Sequence, residues 1–280
     1  MLRPRHKDTV CVVAVFKNEA HAIYEWIDHH REEGVSHFFL IDNGSTDDSV
    51  RRLQKYGEQL VTLVRDPTVF AQENLYNRHF LTHVGAYDWV IALDLDEFLF
   101  ARKGKTLREV LTSANDEVSE VQVRWKMFGS NGHTEQPPGI LEFFTERCDF
   151  ARQKHIMDNV KSFARTLRVA RIGVHEHKLI HGKRIVLPRV RTEKQLENAV
   201  LHLNHYRVQS KNWFFNVKRP RGDVASKRYD AIRCSEHYFD DNDYRGVHDE
   251  ELGRIVRQRC AETFARKLYD DVSSIDDTQI

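Results

Sequence analysis

The chain has 280 residues, of which 40% are hydrophobic and 30% charged, and its formal net charge is +1. This composition is typical of a globular protein, and the length suits one large α/β domain or two small ones. A net charge this small provides no overall attraction to nucleic acid. The four cysteines are scattered without a Cys-x-x-Cys pair, which argues against a zinc ribbon and against a disulfide framework.

The first hundred residues alternate between short apolar runs and amphipathic stretches. An apolar run without alternation predicts a strand that is covered on both faces, as in a parallel sheet. Strands that alternate with helices predict right-handed crossovers and a doubly wound sheet. The predicted strands cover residues 9–16, 37–41, 60–64 and 89–93. Three helices are predicted: one over 20–33, one that Asp47 or Asp48 caps and that runs to Tyr56, and one over 73–84.

The second half of the chain is less regular. A Gly-rich loop, Phe128 to His133, follows a predicted strand, and basic residues outnumber acidic ones between Arg147 and Arg191. Ser210 is placed to cap a helix. The predicted strands are 118–127, a short one at 140–144 and 200–204, and a final amphipathic helix is predicted over 249–269.

Three carboxylates, Asp94, Asp96 and Glu97, follow the fourth predicted strand. In an open α/β sheet, ligands bind beyond the carboxyl ends of the strands. Residues i and i+2 of an extended chain point the same way, so Asp94 and Asp96 can converge on one ion while Leu95 points into the core. Two carboxylates that close repel each other unless a cation or a proton intervenes, and Mg²⁺ or Mn²⁺ prefers oxygen ligands. The pattern predicts an Asp-x-Asp metal site for a diphosphate; acidic residues that cap the next helix or lie in a solvated turn are the alternative.

Six motifs in chain order resemble those of nucleotide-sugar transferases with the GT-A fold. The ends of the first, second and fourth strands read K-N-E, I-D-N-G-S-T-D-D-S and D-L-D-E-F, which is similar to glycosyltransferase family 2. The later pieces resemble glycosyltransferase family 92: W-K-M-F-G-S-N-G-H, K-S-F before V-H-E-H, and L-N-H-Y-R-V-Q-S followed by K-R-P-R-G. The resemblance covers roughly residues 9 to 225.

The resemblance implies an α/β GT-A fold, with a mostly parallel doubly wound sheet and an irregular, acceptor-binding C-terminal half. It implies a metal-dependent hexosyltransferase that moves a sugar from a UDP-sugar to a hydroxyl of a glycan or other acceptor, with inversion. We expect one domain over residues 1–225, with a nucleotide-binding half at 9–100 and an acceptor half at 101–225. Residues 226–280 are then a helical extension packed on the same domain.

The same resemblance implies roles in donor binding. Phe16 and Glu19 would line the pocket for base and ribose, and Asp42 would accept a hydrogen bond from uracil. Asp94 would contact the ribose or a metal-bound water, and Asp96 would bind Mn²⁺ or Mg²⁺ directly.

Relatives often add a late histidine as a third metal ligand. His175, His177 and His205 are the candidates here; His175 is preferred because it ends an apolar stretch that can aim it, with His205 close behind. Lys218 and Arg221 could form charge-assisted bonds to the diphosphate, or they could belong to a solvated basic face.

An inverting enzyme also needs a carboxylate base within hydrogen-bond reach of the acceptor hydroxyl. Glu142 and Glu146 follow the Gly-rich loop, and Glu142 is preferred by a small margin; both could equally lie on a solvated surface. No clean Glu-Asp pair marks the base, which is a departure from the family pattern. In the loop itself, Gly129 and Gly132 would let the backbone approach donor or acceptor closely.

Three other functions compete with this hypothesis. A sugar nucleotidyltransferase would need a Gly-rich phosphate loop after the first strand, and K-N-E-A is not one. A nucleic-acid-binding module could use the basic stretch 207–233 with Trp213, Phe214 and Phe215, although that spacing fits a core-facing stripe better than base stacking. An inactive, sugar-binding descendant is the third.

Compartment is inferred from what the chain lacks. No apolar run approaches the roughly 18 residues of a membrane-spanning helix, and the polar N-terminus lacks the apolar segment of a signal peptide. The single Asn-x-Ser/Thr triplet, Asn43-Gly44-Ser45, lies in the proposed nucleotide loop, where a glycan would obstruct binding. We expect a cytoplasmic protein whose partners are a nucleotide-sugar and a carbohydrate or glycoconjugate acceptor, without nucleic acid and without a transmembrane segment.

Overall fold

The computed structural model of this protein describes residues 8–150, 160–180, 183–185 and 192–273. For residues 183–185 and 264–273 it describes the backbone alone. The strands are β1 (Val10–Phe16), β2 (Val35–Asp42), β3 (Val61–Arg65), β4 (Trp89–Ala92), β5 (Glu97–Ala101), β6 (Val118–Met127), β7 (Glu146–Arg147), β8 (Val160–Arg165), β9 (Val169–Arg171), β10 (Lys178–Leu179), β11 (Lys183–Ile185), β12 (Leu201–His205) and β13 (Val247–His248). The helices are α1 (Ile23–Glu32), α2 (Ser49–Leu53), α3 (Gln72–His79), α4 (Leu81–Val84), α5 (Leu107–Thr112), α6 (Glu193–Asn198), α7 (Lys211–Trp213), α8 (Lys227–Arg233), α9 (Tyr238–Asn242) and α10 (Glu251–Ser273). A 3₁₀ turn covers Thr166–Arg168, and a π-helical turn at Phe214–Lys218 continues α7.

One nine-stranded sheet forms the centre of the molecule, in the order β3-β2-β1-β4-β8-β6-β12-β5, with β11 also paired to β6. The first four strands in this order are parallel. Strand β8 runs antiparallel to both β4 and β6, while β12 is parallel to β6 and antiparallel to β5. The prediction of an α/β fold with a mostly parallel sheet is confirmed.

Strand β1 shows why its sequence is apolar without alternation. Its residues are all buried, and neighbours along the strand enter different layers. Val12 packs in the core cluster that contains Trp26 of α1, whereas Val13 packs in the cluster that contains Tyr76 of α3. Because helices cover both faces of the sheet, both sets of side chains must be apolar.

Two predicted elements differ from the structure. The helix expected over 73–84 breaks at Phe80, where φ is −125°, into α3 and α4. The strand expected over 140–144 is wrong, because this segment forms a turn. The Glu25 carboxylate accepts the backbone N–H groups of Ile140 and Leu141, at 2.7 and 3.0 Å, so these groups have no partner strand.

The final helix is joined to the sheet by buried ion pairs at its start. Asp249 contacts the ammonium of the fully buried Lys126 at 3.1 Å and the guanidinium of Arg147 at 2.7 Å. The sequence pattern places Leu252, Cys260 and Phe264 on one apolar face of this helix. In the structure Leu252 is buried and Cys260 is exposed, while the side chain of Phe264 lies outside the described residues. The predicted boundary at residue 225 stays a prediction.

The Gly-rich loop after β6 contacts the chain's own backbone. A Cβ atom on Gly129 would lie 2.1 Å from the carbonyl oxygen of Tyr244 and 2.6 Å from its amide nitrogen. Gly129 therefore lies close to the segment after α9, and its predicted approach to donor or acceptor stays a prediction. Gly132 adopts φ +77° in the same loop, with open space around its Cα.

We expect Gly129→Ala to lower the free energy of unfolding by ~1–3 kcal/mol, because both clashing atoms of Tyr244 are backbone atoms that cannot rotate away. Gly85→Ala is the matched control: Gly85 has φ −62° and nothing within 4 Å of an added Cβ, so its stability should stay unchanged or rise slightly. Urea denaturation of both variants measures the difference. Equal stability of the two would contradict the close approach at residue 129.

Candidate functional site

A pocket of about 360 Å³ opens at the carboxyl ends of β1 and β4, where the sheet order places these two strands side by side. Ligands of open α/β sheets bind at such an edge. The structure brings together at this pocket most of the residues predicted from the sequence: Phe16, Glu19, Asp94, Asp96, His175, His205, Lys218 and Arg221.

The Asp-x-Asp segment is a tight turn and not an extended chain. The Glu97 N–H donates to the Asp94 carbonyl at 3.1 Å, and the Glu97 carboxylate accepts the Asp94 N–H at 2.8 Å. The indole N–H of Trp26 reaches the carbonyls of Asp94 and Glu97, at 3.1 and 2.9 Å. Leu95 points into the core as predicted, with 2% of its surface exposed. The turn is therefore held by Trp26 of α1 and by the carboxylate of Glu97 within the turn.

Each aspartate of this turn is paired with a lysine. The Lys161 ammonium lies 3.0 Å from the Asp94 carboxylate and 3.2 Å from that of Glu97. The Lys218 ammonium donates to the Asp96 carboxylate and to the carbonyl of Arg207, the latter at 2.6 Å. Lys161 is fully buried and Lys218 is 4% exposed, so the two positive charges are part of the interior and not of a solvated surface.

The charges of this cluster follow from burial and from the lysines. Burial raises the pKa of Glu97 to about 8. Burial also opposes ionisation of Asp96, but the Lys218 ammonium and the His205 imidazole outweigh it and hold the pKa of Asp96 well below its ordinary value. Burial lowers the pKa of His205 to about 4, so this imidazole is neutral at pH 7.

The metal site predicted from the sequence does not fit these residues as they stand. Both Asp94 oxygens accept hydrogen bonds, one from Gln72 at 2.9 Å and one from Lys161. One Asp96 oxygen accepts from Lys218, and the other lies 3.5 Å from Nε2 of His205. Across the parts of the chain that the structure describes, no group of three or more His, Cys, Asp or Glu side chains is placed to hold a metal ion.

The other histidines proposed as a third ligand differ in their relation to the pocket. His175 lines the pocket, and the 3.1 Å contact with the carbonyl of Val160 engages only its Nδ1. His177 is buried, with its Nε2 3.0 Å from the carbonyl of Ser162, and it does not line the pocket.

Arg221 connects the C-terminal half to the loop after β1. Its guanidinium lies 2.6 Å from the Glu19 carboxylate and donates to the carbonyl of Lys17, also at 2.6 Å. The Glu19 N–H in turn donates to the hydroxyl of Ser49, at the start of α2. The K-N-E motif and the K-R-P-R-G motif are thus parts of one wall of the pocket.

Asp42, predicted to bind uracil, is not among the residues that line the pocket. Its carboxylate accepts the Ser45 N–H at 2.7 Å and lies 3.6 Å from Nε of Arg65. The next residue, Asn43, lines the pocket, and its side-chain amide donates to the carbonyls of Asp66 and Thr68. The structure thus gives the predicted Asp42 role no support.

The two glutamates proposed as the catalytic base lie outside the pocket lining. Glu142 is about half exposed, 3.6 Å from Arg257 of α10, and Glu146 lies in β7, 3.3 Å from His248. A base must come within hydrogen-bond reach of the acceptor hydroxyl. Their catalytic role stays a prediction that this geometry does not support.

Sequence reasoning missed Lys161 and Gln72, which both contact Asp94. Lys161 is 67 positions away from Asp94 in the chain, and Gln72 is 22 positions away. The one local signal is a lysine at position 161 within the apolar strand β8, in the K-S-F motif. A cation that is buried in a strand needs an acidic partner, and the turn after β4 supplies it.

The aromatic stripe that suggested nucleic-acid binding belongs to the core. Phe214 is fully buried and packs against Tyr238 and Phe239, with ring centroids 5.8 and 5.4 Å apart. Trp213 is 6% exposed. These rings are therefore not available for stacking on bases.

The fold and the pocket define an α/β protein with its ligand site at the carboxyl edge of the sheet. The profile of Glycosyltransferase family 92 matches residues 6–244, and the chain belongs to that family.

Curated relatives of the same family are longer than this chain and match it over part of their length. A Glycosyltransferase family 92 protein of Oryza sativa subsp. japonica is 27% identical over 210 residues, which is 73% of this chain and 34% of the rice protein. A family 92 protein of Ricinus communis is 26% identical over 214 residues, 74% of this chain and 37% of the relative. The chain thus spans about a third of the length of these relatives.

Solved structures show weaker likenesses. TarS of S. aureus, crystallised with UDP, has 16% identity and a TM-score of 0.37, over 56% of this chain and 47% of that one. Glucosyl-3-phosphoglycerate synthase of Mycobacterium tuberculosis, crystallised with Mn²⁺, UDP and glucosyl-3-phosphoglycerate, has 22% identity and a TM-score of 0.30, over 42% of this chain and 44% of that one. Likenesses of this size say nothing about which ligands this chain binds.

Among the residues that the structure describes, no helix has the length and the apolar character needed to cross a membrane.

We expect Lys161→Met to lower the free energy of unfolding by ~3–5 kcal/mol, because it leaves the fully buried Glu97 and the partly buried Asp94 without their counter-charge. The loss should be larger at pH 8 than at pH 5. The pKa of Glu97 is raised in the folded state, so the folded protein holds this proton more tightly, and stability falls as pH rises toward about 8. A protonated Glu97 needs no lysine, whereas an ionised one does.

Urea denaturation at the two pH values measures this effect. Lys55→Met is the control, because Lys55 pairs with Asp28 on the surface and about half of its side chain is exposed. Its loss should stay within about 1 kcal/mol at both pH values. A loss for Lys161→Met as small as that of the control, or one independent of pH, would contradict the buried pairing.

Proposed function

We propose that this chain is a glycosyltransferase that takes a UDP-sugar as donor and transfers the sugar, with inversion, to a hydroxyl of a glycan or another acceptor. One observation carries the proposal: in a chain of glycosyltransferase family 92, residues from six separate motifs meet at a single pocket on the carboxyl edge of the sheet. The family supports the reaction class, and the pocket supports the place where it would occur.

The charges of the pocket suit a nucleoside diphosphate. Among its lining residues are four basic side chains from the C-terminal half of the chain, Arg207, Lys218, Arg221 and Arg233. Cations that face a pocket can form charge-assisted hydrogen bonds to phosphate oxygens. Phe16, at the end of β1, gives the same pocket an apolar surface for the base and ribose.

Trp125 supports the sugar part of the proposal. It lines the pocket with its ring between those of His175 and His205, at centroid distances of 5.4 and 4.4 Å. Its indole N–H, although buried, has no hydrogen-bond partner within the described part of the chain. A flat apolar face next to an N–H donor matches a sugar ring and one of its hydroxyls.

In the proposed reaction the bond between the anomeric carbon and the β-phosphate oxygen breaks, and its electron pair leaves with UDP. The acceptor oxygen forms the new bond from the opposite face of the sugar, and its proton passes to a base. Cations placed beside the leaving diphosphate stabilise the charge that develops there. Glu142 and Glu146 were predicted to act as this base, but the proposal depends on neither of them.

Mn²⁺ or Mg²⁺ was predicted as the cofactor. Since all four oxygens of Asp94 and Asp96 already face polar partners in the protein, no step of the proposed reaction is routed through a metal. The cytoplasmic location stays a prediction.

The proposal predicts that the protein releases UDP from one member of a panel of UDP-hexoses, with or without added acceptor. Asp96→Asn should lower this rate at least about 100-fold, because the ion pair that fixes Lys218 at the pocket is lost. Asp116→Asn, on a fully exposed side chain, is the matched control and should keep the rate within about twofold. A coupled assay for UDP measures the rate, and NMR of the product gives the anomeric configuration.

No UDP release above background from any donor would contradict the proposal and favour the inactive, sugar-binding descendant. Retention of the anomeric configuration would contradict the proposed inversion and leave the rest of the proposal unchanged.

A further inference from the structure

The charges of the turn after β4 are already balanced inside the protein. Asp94 and Asp96 carry two negative charges, and the ammonium groups of Lys161 and Lys218 carry two positive ones. A divalent cation is drawn to a pair of carboxylates by their uncompensated charge, and that attraction falls when a fixed cation already lies beside each of them. This cluster therefore differs from an acidic site that waits for a metal.

Both lysines are held in place by the fold. Lys161 lies in β8, between β4 and β6, and no part of its side chain is exposed. Lys218 ends the π-helical turn after α7, with 4% of its surface exposed, and its ammonium is fixed by the Arg207 carbonyl as well as by Asp96. Neither side chain can swing into solvent without leaving a buried carboxylate unpaired, which is costly.

Lys218 is the one of the two that lines the pocket. An ammonium has three N–H donors. Within the described residues Lys218 has two acceptors, the Asp96 carboxylate and the Arg207 carbonyl. The third donor is left for a ligand oxygen in the pocket, and a phosphate oxygen is the acceptor that a buried cation prefers.

We infer that the donor diphosphate is held at this site by the Lys218 ammonium in place of a divalent cation, and that Asp96 is a positioning residue that holds Lys218 and not a metal ligand. The inference rests on the proposed function, since it names the group that receives the diphosphate in the same pocket. It assigns Asp94 to the structure of the turn, through Lys161 and Gln72.

The test is the binding of UDP to the whole chain, measured by isothermal titration calorimetry in EDTA and again in Mn²⁺. We expect the two dissociation constants to agree within about threefold. Lys218→Met should weaken binding in EDTA about 30-fold or more, as expected for the loss of a buried charged partner. In Mn²⁺ this variant should recover about tenfold or more, because the freed Asp96 carboxylate can now take a metal ion.

Three further measurements make the result specific. Lys211→Met, an exposed lysine on α7 in the same segment, is the matched control and should bind UDP like the parent chain. Lys218→Arg keeps the charge and should bind in EDTA within about tenfold of the parent, which decides the matter even if Lys218→Met does not fold. Electron paramagnetic resonance of Mn²⁺ should detect bound ion in Lys218→Met and not in the parent chain.

The outcomes separate the inference from the proposed function. If the parent chain binds UDP in Mn²⁺ and at least about tenfold more weakly in EDTA, the inference is overturned, while the UDP-sugar assignment stands. If UDP does not bind under either condition, the proposed function fails and the inference fails with it. Equal binding of UDP by Lys218→Met and the parent chain in EDTA would also overturn the inference.

Discussion

The neutralisation of three carboxylates in one turn is the constraint on which the rest of the site depends. Asp94, Asp96 and Glu97 follow directly from a buried strand, and like charges this close cannot all be buried without compensation. Lys161 from β8 and Lys218 from the turn after α7 supply two compensating positive charges, and burial raises the pKa of Glu97 to about 8, so that this third carboxyl keeps its proton at pH 7. The requirement for these two cations fixes where two distant parts of the chain must lie.

The sheet topology shows how the first of these requirements is met. The chain leaves β4 through the acidic turn and continues as β5 at the far edge of the sheet, so that β8, β6 and β12 occupy the space between. Strand β8 then lies directly beside β4, which brings Lys161 to the turn. The antiparallel insertion of β8 is therefore part of the site and not only an extension of the sheet.

The second half of the chain completes the pocket in the same way. Arg221 reaches back to Glu19 and to the backbone after β1, and the Val224 carbonyl accepts the Ala71 N–H at 2.7 Å, at the start of α3. The walls of the pocket thus come from segments about 200 and 150 positions apart in sequence. A site assembled from such distant pieces is complete only when the whole domain is folded.

The sequence by itself determined the local features. Buried strands such as β1 were visible because both of their faces need apolar side chains, and the positions of Asp94 and Asp96 at a strand end were visible because three acids interrupt an apolar run. The motifs were enough to indicate the family. Tertiary structure alone decided what those acids contact: Lys161 lies 67 positions from Asp94, and Lys218 lies 122 positions from Asp96, so no spacing rule pairs them. It also left Asp42 and Glu142 outside the pocket lining, because the direction of a side chain at a loop depends on which neighbours supply its hydrogen bonds and counter-charges.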